Sequence, residues 1–315
     1  MVGASMKEGF AATMRSWRLL LPLYILNLAA AVIVVAPLQF ALQQYWGTSV
    51  ISSPLRQAFS IPALVEFLLH NGDLVRTLFR IFLTVLFLYE ILSVFLDGGI
   101  LAALRSGEAQ GLSRKLFEGG AAYFFRFLRL FLISIPFMIV GGIILGLIDA
   151  PLSSLMDSSQ RPVEIFLVLG ARIAVAVLLF SYIRAVMDYA KVAAVSEARR
   201  VMWKAFWRGL GFSVRNFGRA YGMFLILLLI YLATVALHLY VNSSINESTA
   251  VLILLLFIIE QLFVLVRIGE RVWFFGSELS LFSKLASVVA IRPVAFDPSP
   301  AEPLPHTGTP HAPLP

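Results

Sequence analysis

Five ionisable residues lie in or just beside apolar runs: Glu90, Asp97, Arg172, Glu260 and Arg267. A charge at mid-bilayer costs about 2.5–3.5 kcal/mol on insertion scales, so such side chains face other helices and pair. Counted from the outer ends of their runs, Glu90, Arg172 and Glu260 fall at similar depth. This predicts that Arg172 bridges the two glutamates. Asp97 lies nearer the basic side and is predicted to meet Arg267. Two kinds of chemistry are open to such a set. It can fix helix packing as a buried tether, or it can serve as an ion or proton path or a seat for a charged headgroup. An arginine between two carboxylates suits a tether better than a relay, because guanidinium does not release its proton. Glu90, Ser93 and Asp97 are spaced i, i+3, i+7 and so share one helix face.

A second concentration of charge is RAVMDYAKVAAVSEARRVMWKAFWRGLGFSVRNFGR, residues 184–219. Arg184 and Asp188 are i, i+4 neighbours and are expected to pair. The helix entering this stretch is predicted to continue through it. Glu197, Arg200, Lys204 and Arg208 then form one polar face, with Val195, Ala198, Met202 and Ala205 opposite and Trp203 and Trp207 at headgroup depth. Arg199, Arg200, Lys204 and Arg208 are candidate contacts for phospholipid phosphates. Ordinary anchoring of a basic loop accounts for the same charges.

The elements that hold these residues are long apolar segments. Of the 315 residues 59% are hydrophobic and 14% charged, where a soluble domain is nearer half apolar and a quarter charged. Six runs can cross a bilayer, at about 19–42, 80–104, 130–148, 163–183, 220–241 and 250–266. The first is too long for the core of a cleaved secretory signal. The formal charge of +7 does not point to nucleic acid, because Lys and Arg sit in short loops between the runs and concentrate on one side of them. That bias places both termini in the cytoplasm. Residues 1–292 read as one six-helix transmembrane domain, and 293–315 as a Pro-rich disordered tail. SIPALVEFLLHNG, at 60–72, reads as a short helix on the outer surface. Gly142 and Gly146 form a GxxxG packing signal in the third run. Asn242 and Asn246 match a glycosylation pattern, which the Asn- and Ser-rich composition of their loop explains.

Three segments repeat: MKEGFAATMRSWRLL, FEGGAAYFFRFLRL and FWRGLGFSVRNFGRA. Each carries Gly-x5-Arg, at Gly9 and Arg15, Gly120 and Arg126, Gly209 and Arg215. Each leads into an odd-numbered run. The expected unit is an elbow, in which an in-plane helix meets a span, Gly permits the bend and Arg reaches to lipid phosphate. The expected fold is therefore all-α and polytopic. Six transmembrane helices form three tandem hairpins, each preceded by an interfacial amphipathic helix.

No Walker A loop, HExxH, dinucleotide-binding glycine set or GxSxG is present. The four histidines, His70, His238, His306 and His311, have no metal-ligand spacing. The chain has no cysteine, which excludes disulfides and thiolate metal sites. No cofactor is expected, and the chain is expected not to be an enzyme. The run RAVMDYAKVAAVSEARRVMWKAFWRGLGFSVRN, with the six-span layout, resembles poorly characterised bacterial membrane proteins similar to the membrane-domain family found beside glycerophosphodiester phosphodiesterases. The resemblance implies a bacterial cytoplasmic-membrane protein without catalysis of its own. No phosphodiesterase domain accompanies it here. The expected function is a non-enzymatic scaffold or accessory subunit in envelope or lipid processes. The alternative is a transporter or lipid-handling protein that uses the buried charges. The partners implied are the lipid bilayer, anionic phospholipid at the cytoplasmic face and another membrane protein.

Overall fold

Apolar stretches longer than a bilayer is thick must satisfy their backbone hydrogen bonds internally, and only helices or closed barrels do so. The computed structural model takes the helical solution. It describes residues 1–46, 72–108, 110–158, 161–245 and 249–286, and these contain no strand. The predicted outer helix at 60–72 lies, apart from Gly72, outside the described residues. So do the 293–315 tail and Asn246.

Helix α1 spans Val2–Arg15, a 3-10 turn Trp17–Leu19, and α2 Leu20–Trp46. Then follow α3 (Gly72–Ser106), α4 (Leu112–Ser158), α5 (Pro162–Ser196), α6 (Met202–Arg215), α7 (Phe217–Ser244) and α8 (Ala250–Leu285). Five of these helices are long and apolar enough to cross a membrane. The bent pair Val2–Arg15 and Trp17–Ile33 makes a sixth candidate. The chain is thus a multi-pass membrane protein.

Helices α3, α5 and α8 have nearly equal lengths of 35, 35 and 36 residues. At 1.5 Å per residue each is about 52–54 Å long, roughly 20 Å more than the hydrocarbon core. These three helices touch one another at the centre. Helix α2 sits between α8 and α3, α4 between α3 and α5, and α7 between α5 and α8. These contacts place α3, α5 and α8 inside, with α2, α4 and α7 around them.

The basic ends of the three inner helices carry the remaining elements. Helix α1 packs on α8, the start of α4 on α3, and α6 on α5. Each of these pairings is made through a repeat glycine. A Cβ on Gly9 would lie 2.5 Å from the Ser277 backbone nitrogen, one on Gly209 2.5 Å from that of Ala190, and one on Gly120 2.6 Å from the Phe95 ring. Hydrogen bonds and rings complete the contacts. Trp273 Nε1 donates to the Met6 carbonyl at 2.9 Å, and Lys284 reaches Glu8 at 2.8 Å. Phe212 stacks between Tyr189 and Phe282 with centroids 4.9 Å from each.

The elbow expectation therefore needs correction. Gly9, Gly120 and Gly209 are points of close approach between helices, not bends. The chain turns after Arg15, with 63° between the flanking segments, and after Arg215, at Asn216. Helix α4 runs unbroken through Gly120 and Arg126 for 47 residues. A missing Cβ serves packing here rather than backbone freedom. Arg15 and Arg215 are exposed, and Arg126 lies over the Tyr123 ring at 5.3 Å. The predicted GxxxG pair makes no contact within the described residues: nothing comes within 4 Å of a Cβ built on Gly142 or Gly146.

Candidate functional site

The inner helices meet through charge. Asp97 of α3 accepts from Lys191 Nζ of α5 at 2.8 Å and from Arg271 Nη2 of α8 at 2.5 Å. Arg271 also donates to the Ser93 hydroxyl at 2.6 Å and the Ser93 carbonyl at 3.1 Å. Lys191 reaches Asp188 at 2.9 Å, and Arg184 Nε reaches the other Asp188 oxygen at 3.1 Å. The result is one alternating chain, Arg271–Asp97–Lys191–Asp188–Arg184, across three helices. Its two carboxylates are buried, with side chains only 3% and 6% exposed.

The sequence explains the position of these groups. Asp97 and Asp188 stand at matching places in LDGGILAAL (96–104) and MDYAKVAAV (187–195). The small residues that follow each aspartate face the helix packed there, the start of α4 against Gly99 and α6 against Ala190, so the aspartates face inward. Glu278 lies on α8, seven residues beyond Arg271. It is fully buried, and among the described residues neither of its carboxyl oxygens has a hydrogen-bond partner.

The expected pairings are overturned in detail. Arg172 pairs with Asp149 across α5 and α4, with Nη2 to Oδ2 at 2.6 Å. Glu90 instead shares a cavity wall with Arg184, twelve residues or about 18 Å of helix from Arg172. Glu260 takes His238 Nε2 at 2.8 Å, and Arg267 Nη2 meets His238 Nδ1 at 3.3 Å. That geometry is the tautomer with hydrogen on Nε2, which donates to Glu260 while Nδ1 accepts from Arg267. Asp97 therefore pairs with Lys191 and Arg271, not with Arg267. The expected Arg184–Asp188 pair is present.

The basic stretch also differs from expectation. Helix α5 stops at Ser196, and Ala198 has a φ of 49°. Glu197 to Arg200 form a turn rather than a continuous polar face. Glu197 accepts from both Arg199 and Arg208, the latter at 2.9 Å. Arg200 and Lys204 remain exposed beside Trp203 and Trp207. The four candidate headgroup contacts thus divide into two that are tied and two that are free at the surface. On α6 the buried face comprises Met202, Ala205, Phe206, Gly209, Phe212 and Ser213.

Between the outer and inner helices lies a cavity of about 570 Å³. Apolar walls come from Leu23, Phe224, Leu228, Val264 and Phe275. Its charged lining is Glu90, Arg184, Asp188, Arg267, Glu270 and Arg271, joined by Asn27, Ser93 and Tyr231. A second cavity of about 420 Å³ opens between α3, α4 and α5 and shares Glu90, Ser93 and Arg184 with the first. Neither wall contains Arg172 or Glu260. Among the described residues no cluster of His, Asp and Glu has metal-ligand geometry.

No protein-family model, curated protein or solved structure matches this chain. The site must be read from its own geometry.

Proposed function

We propose that this chain is a lipid-handling protein of a bacterial cytoplasmic membrane, with its basic end in the cytoplasm and no catalysis of its own. It seats the polar end of an amphiphile in the 570 Å³ cavity. The observation that carries this reading is the cavity lining itself, with arginines and carboxylates set among apolar walls inside a bundle of helices. Ligand sites are concave, largely apolar and furnished with a few converging polar groups, and intramembrane charges of this kind mark substrate paths.

Native mass spectrometry of the full chain in mild detergent tests this. A retained phospholipid that is lost when Leu228→Trp fills the cavity supports the reading. Retention unchanged by that substitution overturns it.

A scaffold or accessory role is the second reading, and the Arg271–Asp97–Lys191–Asp188–Arg184 chain favours it. Every member of that chain is engaged, as in a tether. A stoichiometric protein partner in the same spectrum, with no lipid, identifies this role.

A further inference from the structure

The cavity lining balances: Glu90, Asp188 and Glu270 stand against Arg184, Arg267 and Arg271, three charges of each sign. A chamber built for an anion carries a surplus of cations, and this one does not. The buried ion-pair chain already engages Arg271, Asp188 and one edge of Arg184. What remains is Glu90, Arg267, Glu270 and the outer nitrogens of Arg184. Among the described residues Glu90, Arg267 and Glu270 form no carboxylate–cation pair.

Two of these groups are incompletely satisfied. Glu270 is 8% exposed. Thr234 donates to its Oε1 at 2.6 Å, while Oε2 is buried without a hydrogen-bond partner among the described residues. Arg267 gives one nitrogen to His238, and its Nε is likewise buried and unpartnered. The two residues are i, i+3 neighbours on α8 and so lie side by side. One requires a donor and the other an acceptor, at adjacent places on one wall.

Resting on the reading of this cavity as a headgroup seat, we infer that its ligand is a zwitterion. A phosphodiester is taken by Arg267 and Arg184, and an ammonium bearing hydrogens is taken by Glu270 and Glu90. Arginine suits the phosphodiester because its fork matches two oxygens at once. A carboxylate with a free lone pair suits an N–H donor and gains much less from a fully methylated ammonium. Phosphoethanolamine-type headgroups carry both features. Phosphoglycerol headgroups lack the cation, and phosphocholine lacks the N–H.

The test is a competition. The full chain in mild detergent receives equimolar phosphatidylethanolamine, phosphatidylcholine and phosphatidylglycerol, and bound lipid is counted by native mass spectrometry. Phosphatidylethanolamine is expected to exceed each of the others by about tenfold, the equivalent of one charge-assisted hydrogen bond. Glu270→Gln should erase that preference. Arg267→Gln should weaken all three lipids alike and leave their ratio unchanged, which a general loss of packing does not do. Soluble glycerophosphoethanolamine runs in parallel. Its retention assigns the headgroup alone as ligand, whereas retention of lipid only assigns the whole amphiphile, and both keep the zwitterion. Preference for phosphatidylglycerol, or equal retention of all three by the native chain, overturns the zwitterion while leaving a lipid seat. That competition decides the point even if a variant fails to fold. Retention of nothing removes the seat itself, and the zwitterion with it.

Discussion

At the scale of single residues, the buried charges separate into those with complete partners and those without. Asp97 compensates Lys191 and Arg271 together. Asp97→Asn leaves the chain's three cations, Arg271, Lys191 and Arg184, with Asp188 as the one carboxylate among them, and breaking a buried pair costs about 3–5 kcal/mol. The expected result is a large drop in the thermal midpoint of the detergent-solubilised protein, followed by intrinsic tryptophan fluorescence. Arg172→Met should cost clearly less, because both partners of the Arg172–Asp149 pair are about one-third exposed. Equal losses for the two substitutions refute the placement of the tether. Glu278→Gln should behave in the opposite way. It removes a carboxylate that no described residue hydrogen-bonds and keeps its shape, so the midpoint should hold or rise by the equivalent of about 1 kcal/mol. These partners were not legible in the sequence for a definite reason. The fourth and sixth runs read as ending near 183 and 266, because charge enters there. Lys191 and Arg271 then seemed to lie outside the bundle. Helix α5 does continue past 183, as expected, but inside the bundle and only to Ser196, while α8 runs on to Leu285, with Lys191 and Arg271 both paired to Asp97. The Asp-centred match between 96–104 and 187–195 was the signal available.

At the scale of elements, the decisive contacts are between backbones. Gly9 and Gly209 leave no room for a methyl group against Ser277 and Ala190. Gly9→Ala and Gly209→Ala should each destabilise by about 1–3 kcal/mol, the cost of overpacking a fitted contact. Gly218→Ala is the control. Its added Cβ meets nothing within 4 Å, so better helix propensity should leave stability unchanged or raise it by up to about 1 kcal/mol. A Gly9→Ala protein as stable as the native chain would falsify the role given to α1. The repeat of Gly and Arg was legible because it recurs in sequence. Its meaning was not, because a glycine that bends a chain and a glycine that lets two helices touch look alike in one dimension. The apolar runs were read correctly as helices, since period and length fix that without a partner.

At the scale of the whole molecule, the basic loops gather with α1, α6 and the start of α4 at one end of the bundle, which is predicted to face the cytoplasm. The chain has no cysteine, so one introduced thiol reports its own side. Arg200→Cys should react with a membrane-impermeant maleimide only in inverted vesicles, and Ser153→Cys only in intact spheroplasts. The reverse pattern turns the protein over. The bundle also has a seam. Two of its three glycine-mediated pairings join neighbours in sequence, α3 with α4 and α5 with α6. The third joins the first helix to the last, with Met6 and Trp273 separated by 267 residues. A ribosome adding about 5–20 residues per second needs roughly 15–50 s to cross that interval. Throughout it the small-residue face of α1, Ser5, Gly9 and Thr13, has no mate. The α1 face is therefore covered only once α8 has been made. A chain lacking α8 leaves that face of α1 uncovered, where the chain with α8 covers it.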